Sequence, residues 1–204
     1  MRRADARRLR PEPEGRDAGA PERVGSRMAY RNPWMTVRED VLRRPDGSDG
    51  IYGVVDKPDF VLVLPLELDG FYIVEQYRYP VGGRFWEFPQ GSRTEQDPDR
   101  PDDAAALARA ELREETGLVA RSLTWLGRLH VAHGYSSQGC NVFLAEDLTQ
   151  RSPEREATEA DMIQRWVSGA ELDEMIAVGD FVDGPSLAAL TLLRRHLGGT
   201  GHGR

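Results

Sequence analysis

The sequence predicts an α/β fold, because clear strand signals come before and after one strongly periodic helix. Two apolar-rich segments, 60–66 and 71–78, flank the turn pair Asp69-Gly70, and together they form the strongest β-hairpin signal in the chain. A helical pattern follows at 101–116, and further strand patterns and a last helix come after it. Strands therefore lie on both sides of the helix in the chain, as in domains that combine a sheet with helices.

An antiparallel hairpin is predicted before this core. Residues 34–42 and 51–56 carry strand patterns, and a Pro-Asp-Gly-Ser turn signal at 45–48 separates them. Later strands are expected at 123–130, 141–146 and 163–167.

The helix at 101–116 has a recognisable start and end. Asp102 and Asp103 lie near its positive N-terminal end, and Gly117 closes it. An apolar stripe for packing against the sheet is formed by Ala105, Ala108 and Leu112.

Two more helices are predicted late in the chain. Leucines recur at helical spacing in 184–197, which indicates a structural helix. The apolar residues Leu172, Met175 and Ile176 recur in the same way and predict a short helix over 170–177.

The composition changes along the chain and suggests four regions. Residues 1–27 are rich in Arg, Pro and Gly and poor in large apolar side chains, which predicts a disordered tail. We expect an N-terminal β-hairpin region at 28–58, one larger globular domain at 59–198, and a flexible C-terminal tail at 199–204.

The overall composition argues against several classes of function. The 204 residues are 39% apolar, as in an ordinary globular domain, and no apolar stretch is long enough to span a bilayer. The net charge of −7 argues against general binding to nucleic acid or to an anionic membrane. The lone Cys140 cannot form an internal disulfide and fits a reducing compartment, so we expect a cytoplasmic protein.

Three glutamates with helical spacing are the most informative feature of the chain. Glu111, Glu114 and Glu115 stand at i, i+3 and i+4, where side chains lie about 5–6 Å apart and like charges repel. A hard cation such as Mg²⁺ binds carboxylate oxygens and would turn this repulsion into a coordination site. The alternative is a solvated acidic face of a helix.

The residues around the glutamates resemble the Nudix box, whose family pattern ends in Arg-Glu-aliphatic-x-Glu-Glu-x-Gly-aliphatic. This chain has Glu111-Leu112-Arg113-Glu114-Glu115-Thr116-Gly117-Leu118. Every defined position from Glu111 onward matches, so the chain is similar to the Nudix hydrolases.

Three departures from the family pattern precede the match. Ten residues separate Gly91 from the first acid, a longer loop than in the family, which costs little entropy at a surface. That acid is Asp102 in place of Glu, and Ala110 occupies the position of the family Arg. Arg109 and Arg113 point elsewhere on the helix and do not replace the missing cation.

The flanks of the box extend the resemblance over roughly 32–197 and narrow it to one subgroup. The flanking motifs are Gln76-Tyr77-Arg78 and Glu87-Phe88-Pro89-Gln90-Gly91. They resemble those of ADP-ribose pyrophosphatases and other nucleoside diphosphate sugar hydrolases. This resemblance implies an α/β/α sandwich around a mixed sheet, preceded by the N-terminal hairpin.

The resemblance also implies a metal site. Its ligands would be Glu111 and Glu115, with Glu114 as a further ligand or catalytic contact and the backbone carbonyl of Gln90 from the preceding loop. The expected ion is Mg²⁺, with Mn²⁺ as an alternative.

The same resemblance implies substrate contacts. Arg78 is a candidate for binding a phosphate or the distal sugar, and a structural salt bridge to Glu87 is its alternative role. Glu87 and Gln76 are further candidates. The N-terminal hairpin is expected to form a homodimer and to line the nucleoside end of the site with Trp34 and Tyr52, for which core or interface packing is the alternative.

A general base is expected on a late acidic loop. The resemblance favours Glu159, with Glu156 and Asp161 as alternatives, and an ordinary solvated loop would explain the same residues.

These features together imply a metal-dependent enzyme. It would cut the pyrophosphate bond of a nucleoside diphosphate sugar, ADP-ribose or a similar compound, into a nucleoside monophosphate and a sugar phosphate. The alternatives are a binding or sensor module with weak catalysis, and a hydrolase of damaged nucleoside triphosphates.

Overall fold

The computed structural model describes residues 19–92, 101–152 and 161–199. Its N-terminal part is a three-stranded antiparallel sheet in the order β1-β2-β3. The strands are β1 (Glu22–Arg31), β2 (Thr36–Arg43) and β3 (Asp49–Asp56). The predicted hairpin of 34–42 and 51–56 is therefore present as β2 and β3, and β1 adds a third strand to it.

The strand β1 corrects the predicted boundary of the N-terminal tail. Residues 22–27 belong to β1 and are not disordered, while residues 1–18 lie outside the described part. Nearly all of β1 is exposed and few of its side chains are large and apolar, so no burial pattern marks it in the sequence. Backbone pairing with β2, from Glu22 to Arg31, holds it in place.

Both faces of the N-terminal sheet carry ion pairs beside apolar side chains. Cross-strand partners share a face, so Val41 lies beside Ile51 on one side of the sheet. On the other face, Arg38 pairs with Asp40 at 3.3 Å and with Asp56 at 3.0 Å. The face of the exposed Ile51 also carries ion pairs, between Arg43 and Asp49 at 2.9 Å and between Arg27 and Glu39 at 2.9 Å.

The second sheet has seven strands and is mixed. Its main path runs β10-β5-β4-β9-β8, with β6 paired to β5 and β7 paired to β4. The strands are β4 (Phe60–Glu67), β5 (Gly70–Arg78), β6 (Gly83–Glu87), β7 (Gln90–Gly91), β8 (Leu118–His130), β9 (Gly139–Gln150) and β10 (Ile163–Ser168). The pairing of β4 with β9 is parallel, and the other pairings are antiparallel.

Helices cover both faces of this sheet. They are α1 (Pro101–Thr116), α2 (Gly169–Val178) and α3 (Gly184–Gly199). Alternate residues of β4 point to opposite faces, so Val61 and Val63 pack under α1 while Leu62 and Leu64 pack in the cluster of α2 and α3. The expected α/β/α sandwich is confirmed.

Most of the predicted helices and strands are present, although some begin or end at other residues than predicted. The helix at 101–116 has the predicted bounds, and the short helix expected at 170–177 is α2. The predicted C-terminal tail begins at Gly199, which is the last residue of α3, and 200–204 lie outside the described residues. Of the helices in the described part of the chain, none is long and apolar enough to cross a membrane.

The loop between β8 and β9 joins the two sheets. The N–H of Val55 in β3 donates to the carbonyl of Tyr135 at 2.8 Å, and the Ser136 hydroxyl donates to the carbonyl of Val55 at 2.8 Å. The Tyr52 hydroxyl also donates to the carbonyl of Gly134. This loop, residues 131–138, is therefore attached to the N-terminal sheet.

Candidate active site

Glu111 and Glu115 lie on the side of α1 that faces the short strand β7. Glu111 and Glu115 are buried, with 6% and 1% of their surface exposed, and Glu114 is half-buried. The neighbouring Leu107 and Leu112 are fully buried against the sheet and fix the rotation of the helix. Burial of two carboxylates is costly without compensating contacts, so these residues are not a solvated helix face.

The short strand β7 packs directly on these carboxylates. The N–H of Gln90 donates to Oε2 of Glu115 at 3.2 Å. A Cβ atom built on Gly91 would lie 2.4 Å from Oε2 of Glu111. The segment therefore needs glycine at position 91, because a side chain there would displace the Glu111 carboxylate.

A cluster of hydrogen-bonded side chains around Glu87 connects β5 with β6. The guanidinium of Arg78 donates two hydrogen bonds to Glu87, one of them from Nε to Oε2 at 3.0 Å. The Gln76 amide donates to Oε1 of Glu87 at 2.6 Å. The salt bridge proposed for Arg78 is thus present, and Arg78 keeps 39% of its side chain exposed while Glu87 keeps 2%.

Burial and charge act in opposite directions on this pair. Burial raises the pKa of Glu87, and the nearby Asp183 raises it further, while Arg78 and Gln76 oppose the shift. Burial lowers the pKa of Arg78, but Glu87, Glu115 and Asp183 outweigh it and the net shift is upward. Arg78 therefore stays a cation among three acidic groups.

A cleft of about 550 Å³ adjoins both clusters. Three residues predicted from the sequence line it, namely Arg78, Glu87 and Gln90. Polar residues that the sequence analysis missed also line it, among them Lys57, Gln138 and Asp183. Apolar walls come from Phe60, Phe85 and Val131. Such a combination of apolar walls with a few convergent polar groups is typical of ligand sites.

Asp183 occupies the N-cap position of α3. Its Oδ2 accepts the N–H of Ser186 at 2.9 Å and lies 3.3 Å from Nε2 of Gln90. The Ser186 hydroxyl in turn accepts the N–H of Phe88 at 3.0 Å. The start of α3 is thereby tied to the segment that carries Gln90. Asp is a favoured N-cap residue, but the sequence analysis identified neither this cap nor its position beside the cleft.

The aromatic candidates of the N-terminal sheet lie outside this cleft. The Tyr52 hydroxyl donates to the carbonyl of Gly134. Trp34 is 69% exposed and borders a separate hollow of about 310 Å³. Lys57 borders both the hollow and the cleft, so the two are neighbours.

The predicted general bases are only partly described. Glu159 and Glu156 lie outside the described residues. Asp161 is described, and it pairs with Arg84 at 2.6 Å with 65% of its side chain exposed.

The position that departs from the family pattern lies on another face of α1. Ala110 lines a hollow together with Arg109 and Arg113, away from the cleft. Arg109 donates to the carbonyl of Ala120 at 2.6 Å. Arg109 therefore does not replace the cation of the family pattern.

The chemistry of the donor set fits a hard divalent cation. Two buried carboxylates face β7, and Gly91 has no side chain that would cover their oxygens. Within the described residues, no three acidic, histidine or cysteine side chains already form a metal cluster. Mg²⁺ sites in proteins often use few carboxylates and take their other ligands from water and phosphate.

Comparisons with known proteins agree with this architecture. The family model of the nucleoside diphosphate sugar hydrolase N-terminal domain matches residues 22–55. An ADP-ribose pyrophosphatase of Mycobacterium tuberculosis (strain ATCC 25618 / H37Rv) is 32% identical over 172 residues, which cover 83% of this chain and 81% of that protein. The ADP compounds hydrolase NudE of Escherichia coli (strain K12) is 30% identical over 69% of this chain and 73% of its own. A solved structure of an ADP compounds hydrolase has the same fold, with a TM-score of 0.76, 24% identity, and coverage of 89% of this chain and 96% of that one.

Fold, glutamate helix and relatives together define a Nudix-type pyrophosphohydrolase. Within that class, the chain belongs to the Nudix family in its ADP-ribose pyrophosphatase subgroup, which confirms the resemblance found in the sequence.

Proposed function

We propose that this protein hydrolyses the pyrophosphate bond of a nucleoside diphosphate sugar, ADP-ribose or a similar compound, with the help of Mg²⁺ or Mn²⁺. The products would be a nucleoside monophosphate and a sugar phosphate. The observation that carries the proposal is the contact of β7 with the buried carboxylates of Glu111 and Glu115, next to a cleft that contains Arg78. The names of the relatives support the same substrate class.

Glu111 and Glu115 are the proposed metal ligands, and Glu114 and the Gln90 carbonyl are proposed to complete the site. A divalent ion bound there would supply charge neutralisation at the phosphate oxygens and an activated water. The chain's own part is to place the carboxylates, and the packing of Gly91 against Glu111 does so.

Arg78 is the proposed phosphate-binding group of the cleft. Its planar guanidinium suits two phosphate oxygens, and its salt bridge to Glu87 restricts its rotamers before substrate binds. Gln76 holds the same carboxylate from the other side at 2.6 Å. Glu87 and Gln76 therefore orient Arg78, which lowers the entropic cost of binding.

Glu159 is the proposed general base, with Glu156 and Asp161 as alternatives. A proton must be removed from the attacking water, and a carboxylate within hydrogen-bond reach is the usual group for this step.

The N-terminal sheet is the proposed dimer interface. One of its faces carries Ile51, which is 70% exposed, beside Val41, which is 37% exposed. Trp34 and Tyr52 are proposed to contact the nucleoside end of the substrate in the homodimer. A cytoplasmic location is proposed because the lone, buried Cys140 fits a reducing compartment.

The test is product release from a panel of sugar-linked diphosphates and nucleoside triphosphates, each with Mg²⁺ and with Mn²⁺. The panel contains ADP-ribose, ADP-glucose, GDP-mannose and UDP-glucose. Glu115→Gln is expected to abolish turnover, and Glu174→Gln on the exposed side of α2 is the matched control, expected to leave it unchanged.

Three results would overturn the proposal. Turnover that survives Glu115→Gln would show that this carboxylate is not part of the metal site. Metal-dependent binding of ADP-ribose without turnover would identify a sensor. A clear preference for nucleoside triphosphates would identify a hydrolase of damaged nucleoside triphosphates.

A further inference from the structure

The segment that carries Gln90 is held in place by the first turn of α3. The strand β7 has only two residues, so its own pairing with β4 is short. The Ser186 hydroxyl accepts the N–H of Phe88 at 3.0 Å. Oδ2 of Asp183 lies 3.3 Å from Nε2 of Gln90. The first turn of α3 therefore supplies two of the contacts that fix this segment.

The register of β7 on β4 determines where the backbone of Gln90 points. The N–H of Val63 donates to the carbonyl of Pro89 at 2.9 Å, and Gln90 stands opposite Leu62. Hydrogen-bonded and non-hydrogen-bonded pairs alternate in an antiparallel ladder, so Leu62 and Gln90 form a non-hydrogen-bonded pair. The N–H and the carbonyl of Gln90 therefore both point away from β4, and the N–H reaches Oε2 of Glu115 at 3.2 Å.

The contact between Ser186 and Phe88 is fully buried. Both residues are 0% exposed, so removal of the hydroxyl would leave the Phe88 N–H without an acceptor and without access to water. Oδ2 of Asp183 also accepts the N–H of Ser186 at 2.9 Å, which joins the two contacts into one unit. A change at either position of α3 should therefore shift the segment 88–90.

We propose that Asp183 and Ser186 are positioning residues for the metal site. They hold the carbonyl of Gln90 where a divalent cation bound by Glu111 and Glu115 can reach it. Each acts through the segment 88–90, and the inference rests on the metal-dependent function proposed above. Loss of a group that orients a direct metal ligand typically weakens metal binding about 10- to 100-fold.

The test is Mn²⁺ binding by the full-length protein without substrate, followed through the electron paramagnetic resonance signal of free Mn²⁺. The component of binding that Glu115→Gln removes defines the site. Within that component, Ser186→Ala should raise the dissociation constant about tenfold. Ser168→Ala is the matched control and should leave it unchanged. The Ser168 hydroxyl also accepts a backbone N–H, that of Glu171 at 3.1 Å, but neither residue lines the cleft.

Two variants at position 183 form a second arm of the test. Asp183→Ala should also raise the dissociation constant for Mn²⁺, whereas Asp183→Asn keeps an oxygen for the same two donors and should bind Mn²⁺ like the wild type. In the turnover assay, saturating Mn²⁺ should return the kcat of Ser186→Ala to that of the wild type. A loss of folded protein would not be reversed in this way, and the melting temperature of each variant is recorded alongside.

The results that would overturn the inference differ from those that would overturn the proposed function. If Glu115→Gln removes no component of Mn²⁺ binding, the proposed metal site and this inference both fail. If that component exists and has the same dissociation constant in Ser186→Ala as in Ser168→Ala, the inference alone fails. If Ser186→Ala is unfolded at the assay temperature, the variants at position 183 decide, and equal binding by Asp183→Ala and Asp183→Asn would overturn the inference.

Discussion

Gly91 and Glu111 are in direct contact, since a Cβ atom built on Gly91 would lie 2.4 Å from Oε2 and 2.5 Å from Cδ of Glu111. The two residues come from different elements, β7 and α1. The position of a carboxylate is thus set by the absence of a side chain on the neighbouring strand. The glycine of the box has a steric role in this protein, and its φ is not in the left-handed region.

Gly91→Ala is predicted to damage the site while leaving the fold intact. The new methyl group must displace the Glu111 carboxylate, and displacement of a catalytic group by about 1 Å can lower kcat about 100-fold. The measurement is kcat as a function of Mg²⁺ concentration, with the melting temperature recorded alongside. Gly134→Ala is the control, because no atom lies within 4 Å of a Cβ at that position. An unchanged kcat in Gly91→Ala would contradict the role of the contact.

Removal of Arg78 is predicted to destabilise the protein in a pH-dependent way. Arg78→Ala leaves the Glu87 carboxylate 2% exposed and without its cation, which should cost about 2 kcal/mol near pH 8. Because burial already raises the pKa of Glu87 above its ordinary 4.5, loss of Arg78 raises it further. A raised folded-state pKa lowers stability as the pH rises from the ordinary value through the raised one. The deficit should therefore shrink at pH 5.

Urea unfolding of wild type and Arg78→Ala at pH 5 and pH 8 measures this difference. Arg84→Ala is the control, since Arg84 also forms ion pairs, with Glu75 at 2.8 Å and Asp161 at 2.6 Å, but these two partners are 20% and 65% exposed. Arg84→Ala should lower the free energy of unfolding by less than about 1 kcal/mol at both pH values. A larger deficit at pH 5 than at pH 8 would contradict the prediction.

The phenol of Tyr72 is predicted to ionise at a higher pH than that of an ordinary tyrosine. Burial raises its pKa from 10.0 to about 12, with further contributions from the hydrogen bond to Glu67 and from the charge of that carboxylate. The bond from the Tyr72 hydroxyl to Oε2 of Glu67 is 2.7 Å long. Since the folded-state pKa is raised, its stabilising contribution is complete below pH 10 and is lost as the pH rises through about 12.

Ultraviolet titration of wild type minus Tyr72→Phe isolates this one phenol. The difference curve should have its midpoint near pH 12. Glu67→Gln should lower that midpoint toward the ordinary value of 10.0, because it removes the neighbouring charge. A midpoint at the ordinary value in the wild type would contradict both the burial of the phenol and its hydrogen bond to Glu67.

Asp183 is predicted to stabilise α3 through its cap. Asp183→Ala removes the acceptor for the Ser186 N–H and should lower the melting temperature by about 2–4 °C, the effect of losing one N-cap in a chain of this size. Asp183→Asn keeps a capping oxygen and should melt close to the wild type. Asp180→Ala, at an exposed position just before α3, is the control. Equal melting temperatures for the Ala and Asn variants at position 183 would count against a capping role.

Ile51→Glu is predicted to dissociate the proposed dimer. Ile51 is 70% exposed on the N-terminal sheet, and a buried carboxylate at an interface would be strongly unfavourable. Size-exclusion chromatography with light scattering gives the mass directly. Val178→Glu is the control, because Val178 is also well exposed, at 61%, but lies at the end of α2. Equal masses for the two variants would contradict the interface.

The sequence predicted those parts of the molecule that have a local signal. The bounds of α1 followed from acidic residues at its start and Gly117 at its end, and the resemblance of residues 111–118 to the Nudix box identified the family. The strand β1 was missed because it is nearly all exposed and is held by backbone pairing. The two-residue strand β7 is too short for any periodicity to show.

The missed residues of the cleft share a different cause. Lys57, Gln138 and Asp183 come from three distant segments and meet only because the strands and α3 bring those segments together. A lone polar residue in each segment carries no pattern in the sequence. The contact of Gly91 with Glu111 was equally hidden, because the resemblance identifies both residues without giving the distance between them.

The bonds between loop 131–138 and β3 link two regions that are far apart in the chain. Val55 donates to Tyr135 and accepts from Ser136, while Val131 and Gln138 of the same loop line the cleft. The loop therefore cannot leave the cleft by local opening without breaking the bonds at the edge of the N-terminal sheet. The backbone amides of Val55 and of the loop should therefore be protected from hydrogen exchange as one cooperative unit. Any contact that rigidifies the N-terminal sheet would also rigidify a wall of the cleft.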